Sequence, residues 1–503
     1  MKNRAIERTK TKGRAIERTK TKGRAIERTM TPFWMKLDTS WLPFADAATP
    51  ELPMRRLLRL ALFQLTVGMS AALMIGTLNR VMIVELHVSA ALVSFMIALP
   101  LLLAPVRALI GFRSDGYRSV FGWRRVPFIW FGTMAQFGGL AVMPFALIIL
   151  SGHAVGLPIW GKIGGALSFL MVGAGMHTTQ TAGLALATDL APEHARPRVV
   201  AMLCAMLLAG MIGGALLFGW LLTPYNQFHM IQVIQTTALI TIVLNSIALW
   251  KQEPRRRYAD DEELPARRAG MESLSAAWAL FRAQPLAMRR LVTIGLGTLA
   301  FSMQDILLEP YGGQVLHLPV GETTALTALL AAGAGAAALV ARWRLTRNGD
   351  PYRIAAAGTL VGLLAFSCVI FAAPLHSGLI FGGGVGLIGF GGGLFLVGTL
   401  SDAMSRVVGD MSGLALGAWG AVQVLASGIA IAIAGTLRGT IATLAAHGSF
   451  GPSFTGPAVG YDAVYHVEIY LLFATLIAIG PLVRRSSTAT NALTQQDAAF
   501  GLK

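Results

Sequence analysis

The sequence predicts an all-α polytopic membrane protein with twelve transmembrane helices. Twelve apolar stretches of about twenty residues lie between Leu57 and Val483, and each is long enough to cross a hydrocarbon layer of about 30 Å. Hydrophobic residues make up 54% of the chain and charged residues 13%, about half the charged content of a typical soluble domain. The 56 glycines suit helices that pack closely inside a membrane.

Each apolar stretch predicts one helix, and short loops separate the helices. The first six are predicted at Leu57–Leu78, Val88–Ile110, Val126–Leu150, Gly161–Ala187, Val199–Leu222 and Met230–Trp250. The second six are predicted at Leu291–Leu308, Thr323–Ala341, Ile354–Ala373, Ser377–Leu400, Leu414–Leu437 and Val464–Val483.

Charge in the loops predicts the orientation of the chain. Arginines collect in every second loop, whereas the opposite side holds only Arg80, Lys162 and Arg438. By the positive-inside rule, both termini are expected in the cytoplasm. The net charge of +17 lies in these loops and in the first thirty residues, so it does not indicate a nucleic-acid partner.

The chain divides into two sets of six spans with tails and a long central loop. Residues 1–35 repeat the unit Arg-Ala-Ile-Glu-Arg-Thr three times and hold too little apolar surface to fold. They are either a basic strap for anionic lipid or a translated DNA repeat that precedes a natural start at Met30 or Met35. We found no cleavable signal pattern, so the first span is expected to direct insertion. The expected units are the disordered tail 1–35, a six-helix bundle at 36–250, a linker at 251–290 with an interfacial amphipathic helix, a second six-helix bundle at 291–485 and a disordered tail at 486–503.

The loop between the second and third spans carries a charged motif. It contains Gly111, Asp115 and Arg118, followed by Arg124 and Arg125. This pattern resembles the signature loop of the major facilitator superfamily, in which two six-helix bundles are related by a pseudo-twofold axis. On this reading the five residues form a cytoplasmic latch between the bundles. The alternative is a solvated charge cluster that only sets topology.

A charged stretch at the matching place in the second half of the chain indicates that the two sets of six spans are related. Residues Arg342 through Asp350 follow the eighth span and form a weaker echo of the charged loop. Six spans, a long loop and six more spans are the layout of the major facilitator fold. A helical bundle of unrelated topology would show the same composition.

Longer blocks point to one branch of that superfamily. Gly76–Leu86, Gly122–Pro127, Ala187–Pro192 and Gln304–Gly313 are similar to the bacteriochlorophyll delivery family, the PucC-like branch. The resemblance implies a role in assembling light-harvesting complexes in the intracytoplasmic photosynthetic membrane of purple bacteria. It implies bacteriochlorophyll as a non-covalent ligand and antenna polypeptides as partners, with the reaction centre and pigment-synthesis enzymes as further expected partners besides membrane lipid. An enzyme is not expected, since no nucleophile–base pair, metal cluster or phosphate loop is visible.

His177 is the best candidate for an axial ligand of the pigment magnesium. It is the only histidine predicted near the middle of a span, and Gln180 and Thr181 follow at helical spacing. The alternative is that His177 only donates a hydrogen bond to a neighbouring helix.

The tenth span offers a second candidate pigment surface. Gly384, Gly389 and Gly393 belong to a glycine-rich face that is almost bare of side chains. Such a face allows close approach by a flat ring, by an antenna helix or by another helix of the same chain.

Asp305 and Glu309 lie one turn apart in the seventh span. Intramembrane carboxyl groups are expensive and usually functional, so these two are a candidate cation, proton or partner site. Alternatively, they cap a break at Pro310-Tyr-Gly-Gly313, where the chain would leave the membrane. The carboxyl pair also permits a runner-up function, a proton-coupled secondary transporter of a small organic solute.

Overall fold

The structure, a computed structural model, describes most of the chain as helix. The described residues are 52–102, 123, 125–152, 157–192, 195–253, 282, 284–347, 349–405, 412–452 and 454–499. Four of the five latch residues, Gly111, Asp115, Arg118 and Arg124, lie outside these ranges, as do the tail 1–35 and most of the linker 251–290.

Twelve helices occur in the described residues, and they are labelled here in chain order. Eleven are long and apolar enough to cross a membrane, which makes this a multi-pass membrane protein. The helices are α1 (Met54–Glu85), α2 (Ala90–Leu102), α3 (Val126–Leu150), α4 (Pro158–Leu190), α5 (Arg196–Leu221), α6 (Gln227–Leu249), α7 (Ala287–Gln314), α8 (Val320–Leu345), α9 (Pro351–Ala372), α10 (Gly378–Ser405), α11 (Ser412–Ala446) and α12 (Ala458–Ala499).

The predicted spans coincide with these helices, although several helices run further. The third span was predicted with the bounds that α3 has. In contrast, α1 continues seven residues past Leu78, to Glu85. Residues 486–499, predicted to be a disordered tail, lie in α12.

Local sequence accounts for several helix starts. Proline stands in the first turn of α3, α4, α5 and α9, where its missing N–H costs no hydrogen bond. Asn226 caps α6 by accepting from Phe228 N at 2.9 Å, and Asp350 caps α9 by accepting from Tyr352 N at 2.9 Å.

The helices form two sets, α1–α6 and α7–α12, and the helices of each set pack against one another. The sets meet along α2 against α11 and along α5 against α8. These two contacts are equivalent when the halves are exchanged, since α2 corresponds to α8 and α5 corresponds to α11, as a pseudo-twofold axis between the halves requires. The second half of α1 also packs against α7 and α8.

A buried polar network joins three helices of the first set. The hydroxyl of Thr66 in α1 donates to Asn245 Oδ1 in α6 at 2.8 Å. Asn245 Nδ2 in turn donates to the hydroxyl of Thr133 in α3 at 2.9 Å. All three residues have no exposed surface, so water cannot bond to them. The hydrogen bonds between their side chains satisfy these polar groups instead.

We expect Asn245→Ala to lower the free energy of unfolding by about 1 kcal/mol, because interhelical hydrogen bonds in membrane proteins contribute about that much. Unfolding in mixed detergent and SDS micelles would measure the change. Gln235→Ala is the matched control, since Gln235 is an exposed amide in the same helix. Equal losses in the two variants would show that the network does not stabilise the bundle.

Candidate functional site

The second half of α1 is wound more widely than an α-helix. Residues Ala72–Leu78 and Val81–Glu85 form π-helical turns, whose backbone hydrogen bonds join residues five apart. Residues five apart lie about 140° from each other around an ordinary α-helix. Here Arg80 Nη1 nevertheless contacts Glu85 Oε1 at 2.5 Å. The wide turns therefore let Arg80 pair within its own helix.

Arg80 was predicted in a short loop, and that prediction is wrong. It lies inside α1 with only 4% of its surface exposed. Its Nη2 donates to Leu318 O at 3.3 Å, in the loop that follows α7. A Cβ added at Gly313 of α7 would lie 3.3 Å from Arg80 Nε, so glycine at this position leaves room for the guanidinium. Arg80 thus reaches from the first set of helices into the second.

The seventh helix bends at its centre. A 3-10 turn at Met303–Ile306 separates an α-helical segment that ends at Ser302 from a second one at Leu308–Gln314. Asn79 of α1 donates through Nδ2 to Ile306 O at 3.1 Å, which satisfies a carbonyl of the bend. The expected exit of the chain at Pro310-Tyr-Gly-Gly313 is wrong, because these residues continue α7.

Glu309 stands where α1, α7 and α8 meet. It is 4% exposed, and its Oε1 accepts a hydrogen bond from the hydroxyl of Thr327 in α8. A Cβ at Gly76 of α1 would lie 2.4 Å from that oxygen, so a larger residue at this position would displace the carboxyl group. The other oxygen, Oε2, is buried without a hydrogen-bond partner in the described part of the chain.

A second buried carboxyl group, Glu468 of α12, was not predicted. It has no exposed surface, and neither of its oxygens has a hydrogen-bond partner among the described residues. Asp305, in the bend of α7, lies near enough for the two negative charges to repel each other. The sequence held a signal for Glu468, since Tyr461, Tyr465 and Glu468 recur at the spacing of one helix face. In the structure all three are fully buried.

The end of α7 is tied to α11 and α12. Gln314 Oε1 accepts from Arg438 Nη2 of α11 and from the hydroxyl of Tyr461 at 2.8 Å. The Arg438 guanidinium carbon also lies 4.5 Å from the centre of the Tyr461 ring. Arg438 and Arg80, which the charge pattern placed on one side of the membrane, both contact this end of the second set.

Asp305 and Glu309 lie one turn apart in α7, and Asp305 is the acidic group whose charge acts on Glu468 of α12. These three carboxyl groups are called the carboxyl cluster here, and the charge of Arg80 acts on its member Glu309. A buried charge without a partner is costly. The carboxyl oxygens that lack partners are therefore the buried groups best suited to accept a proton or a cation. The described residues contain no group of three or more histidines, cysteines or acidic residues arranged to hold a metal ion.

His177 lies half-buried in the middle of α4. Thr179 of the same helix accepts a hydrogen bond from Gln136 Nε2 of α3 at 3.1 Å. Because Thr179 faces α3, helical geometry turns His177 toward the opposite side. Gln180 and Thr181 are also half-buried, and the Thr181 hydroxyl donates to the carbonyl of His177 at 2.7 Å. A partly accessible imidazole on this side suits an axial ligand.

The three candidate glycines of α10 contact other helices of the same chain. A Cβ at Gly389 would lie 2.1 Å from Leu330 O of α8, and one at Gly393 would lie 2.8 Å from the Cβ of Ala337. A Cβ at Gly384 would lie 3.0 Å from Val369 of α9. The structure thus places α8 and α9 where a flat ring or an antenna helix would have to approach these glycines.

Only one latch residue, Arg125, is described. Its Nε lies 3.2 Å from Asp189 Oδ2 at the end of α4. Its backbone N–H and that of Val126 donate to the carboxylate of Glu253, which follows α6. These bonds hold together three helices of the first set. The other four latch residues lie outside the described residues, so the latch between the two sets stays a prediction.

Comparison with known sequences identifies relatives over nearly the whole length. Residues 77–487 match the family described as PUCC protein. An uncharacterized protein of the puhA-bchM intergenic region of Rhodobacter capsulatus is 51% identical over 93% of this chain and 97% of its own length. Protein PucC of Cereibacter sphaeroides is 48% identical over 90% of this chain and 98% of its own length.

Comparison with solved structures identifies the fold. A bacterial homologue of the human lysosomal transporter Spinster, in an inward-facing conformation, superposes with a TM-score of 0.63 at 15% identity. The match covers 84% of this chain and 95% of that protein. A proton-dependent oligopeptide transporter gives a TM-score of 0.61 at 14% identity, over 86% of this chain and 99% of that protein. The architecture is therefore the major facilitator fold, as the sequence predicted.

Proposed function

The chain belongs to the PucC family, and from this premise we propose that it assists the assembly of bacterial light-harvesting complexes. The observation that carries the proposal is the extent of the match, since half of the residues are shared with proteins of this family over nearly the full length of both chains. In this role the protein holds bacteriochlorophyll or hands it to antenna polypeptides while they insert. It acts as a carrier and assembly factor rather than as an enzyme.

The pigment would be held on the first set of helices. His177 would supply a nitrogen ligand to the pigment magnesium, and Gln180 would donate or accept a hydrogen bond at the ring edge. The support is the position of His177 on the side of α4 turned away from α3, where the imidazole is half-buried rather than enclosed. Gly384, Gly389 and Gly393 support this role less well, because α8 and α9 already contact them.

The proposed partners and location follow from the same role. Antenna polypeptides are short membrane-spanning chains, so they would meet this protein within the intracytoplasmic photosynthetic membrane. The reaction centre and pigment-synthesis enzymes are further partners of such an assembly step. The charge of the loops supports cytoplasmic positions for both termini.

We expect the protein, purified in mild detergent from a pigment-producing strain without antenna polypeptides, to carry a near-infrared bacteriochlorophyll band. His177→Ala should reduce the pigment-to-protein ratio at least several-fold, because the magnesium loses its axial ligand. His229→Ala is the matched control, since His229 is exposed at the start of α6.

Each outcome of the pigment measurement has a definite meaning. An unchanged band in His177→Ala would remove His177 from the pigment site. A colourless wild-type protein would contradict pigment holding and favour a chaperone of antenna helices. Such a chaperone would still bind antenna polypeptides in a strain that makes no bacteriochlorophyll.

A proton-coupled transporter is the second candidate, and the buried carboxyl cluster favours it. Coupled transport needs carboxyl groups inside the membrane-spanning helices. Glu309 and Glu468 are buried there, and Asp305 is partly buried. Proton-driven uptake of a small organic solute into vesicles, lost in Asp305→Asn or Glu309→Gln, would support the transporter. Assembly of antenna complexes that survives both substitutions would separate the two functions.

A further inference from the structure

The end of α8 carries two arginines stacked on one tryptophan. The guanidinium carbon of Arg347 lies 4.2 Å from the centre of the Trp343 ring, and that of Arg344 lies 5.0 Å from it. All three side chains are exposed. Cation–π contacts hold both guanidinium groups near one indole. The positive charges of Arg344 and Arg347 therefore lie close together, both beside the Trp343 ring.

No acidic side chain neutralises this pair within the part of the chain that the structure describes. The ion pairs found there involve Arg80, Arg125 and Arg290. The acidic residue nearest in sequence, Asp350, is used as the cap of α9, where it accepts from Tyr352 N. The turn after α8 is fixed by backbone bonds, with Gly349 N donating to Arg344 O at 3.0 Å. Among the described residues, the arginine pair therefore has no anionic partner.

The cluster lies on the outward side of α8, where the apolar surface of that helix ends. Leu339 is 70% exposed and Val340 is 40% exposed, one turn before Trp343. Thr327, on the inward side of α8, contacts Glu309 of α7. An exposed apolar surface that ends in tryptophan and arginine is typical of the boundary between hydrocarbon and water.

We infer that Trp343, Arg344 and Arg347 bind the phosphate of one anionic phospholipid, whose acyl chain lies along Leu339 and Val340. Arginine forks match phosphate oxygens in geometry and charge. An anionic headgroup would supply the missing counter-charge, and the neighbouring apolar side chains select a lipid over a free anion. This site is separate from the pigment site and from the carboxyl cluster.

Native mass spectrometry of the purified, folded protein tests the site with three probes: phosphatidylglycerol, phosphatidylcholine and inorganic phosphate. The wild type should retain one phosphatidylglycerol in preference to phosphatidylcholine. The double variant R344Q/R347Q should bind phosphatidylglycerol at least tenfold more weakly than the wild type does. The affinity of R344K/R347K for this lipid should fall less, because both positive charges remain. Arg55→Gln, an exposed arginine at the start of α1, is the matched control and should bind as the wild type does.

Three results would overturn the inference. One is equal retention of phosphatidylglycerol by the wild type and by R344Q/R347Q. A second is an equal loss in Arg55→Gln, which would show general attraction to basic loops. The third is displacement of the lipid by millimolar inorganic phosphate, which would identify an ion site. Circular dichroism of each variant confirms that it is folded before binding is compared.

Discussion

Replacement of Arg80 by methionine is expected to lower the free energy of unfolding by about 2 kcal/mol, because it removes the buried partner of Glu85, whose side chain is 28% exposed and so keeps part of its solvation. Arg80 is the ion-pair partner of Glu85, and its charge also acts on Glu309 of α7. Methionine has a similar length, so the loss comes from charge rather than from a cavity. Unfolding in mixed detergent and SDS micelles measures the change.

A double-mutant cycle identifies the pair itself. Glu85→Gln removes the charge that Arg80 neutralises, so R80M/E85Q should lose less stability than the sum of the two single variants. Lys162→Met is the matched control, because Lys162 is an exposed cation predicted on the same side of the membrane. The free energy of unfolding of Lys162→Met should differ from that of the wild type by no more than about 0.5 kcal/mol. A loss in Arg80→Met no larger than this control would show that the buried ion pair does not stabilise the protein.

Gly210→Ala is expected to destabilise the protein by about 2 kcal/mol, because overpacking a tight contact forces the backbone apart. A Cβ at Gly210 of α5 would lie 2.2 Å from Leu65 O of α1. The contact is reciprocal, since a Cβ at Gly68 of α1 would lie 2.1 Å from Leu207 O of α5. Both clashes are with backbone atoms, so no side chain can move aside. The midpoint of thermal unfolding in detergent should fall accordingly.

The same helix supplies the control for this substitution. Gly213 lies three residues further along α5, and a Cβ there would have no neighbour within 4 Å. Gly213→Ala should leave stability unchanged or raise it slightly, because alanine favours helix more than glycine does. Equal melting temperatures for the two alanine variants would contradict the close crossing of α1 and α5.

Hydropathy predicted the spans well where a helix is apolar from end to end. The bounds of α3 were predicted without error because Arg124 and Arg125 precede a continuous apolar run and Ser151-Gly152 follows it. The end of α1 was missed because Arg80 and Glu85 look like loop residues in a hydropathy profile. Their charges are tolerated inside the helix because the π-helical turns bring them together and because Arg80 also donates to Leu318 O. Whether Arg80 and Glu85 pair depends on the winding of the backbone between them, which a hydropathy profile does not show.

The carboxyl cluster was predicted in part. Asp305 and Glu309 could be found because they interrupt an otherwise apolar span. Glu468 was not predicted although it lies inside the predicted span Val464–Val483, because it stands only four residues after the predicted start of that span. The partners of the glycines in α10 could not be predicted either, since a bare helical face is equally compatible with a ligand and with a neighbouring helix.

The π-helical turns also decide which side of α1 enters the second bundle. Gly68, before these turns, contacts α5, whereas Gly76 and Arg80, within or after them, contact α7 and its following loop. Deleting one residue from Ala72–Leu78 would shift everything beyond it by about 100° around the helix axis. Gly68 would keep its place while Arg80 turned away from Leu318. The number of residues in this segment, and not only their identity, therefore sets the phase between the two halves of the molecule.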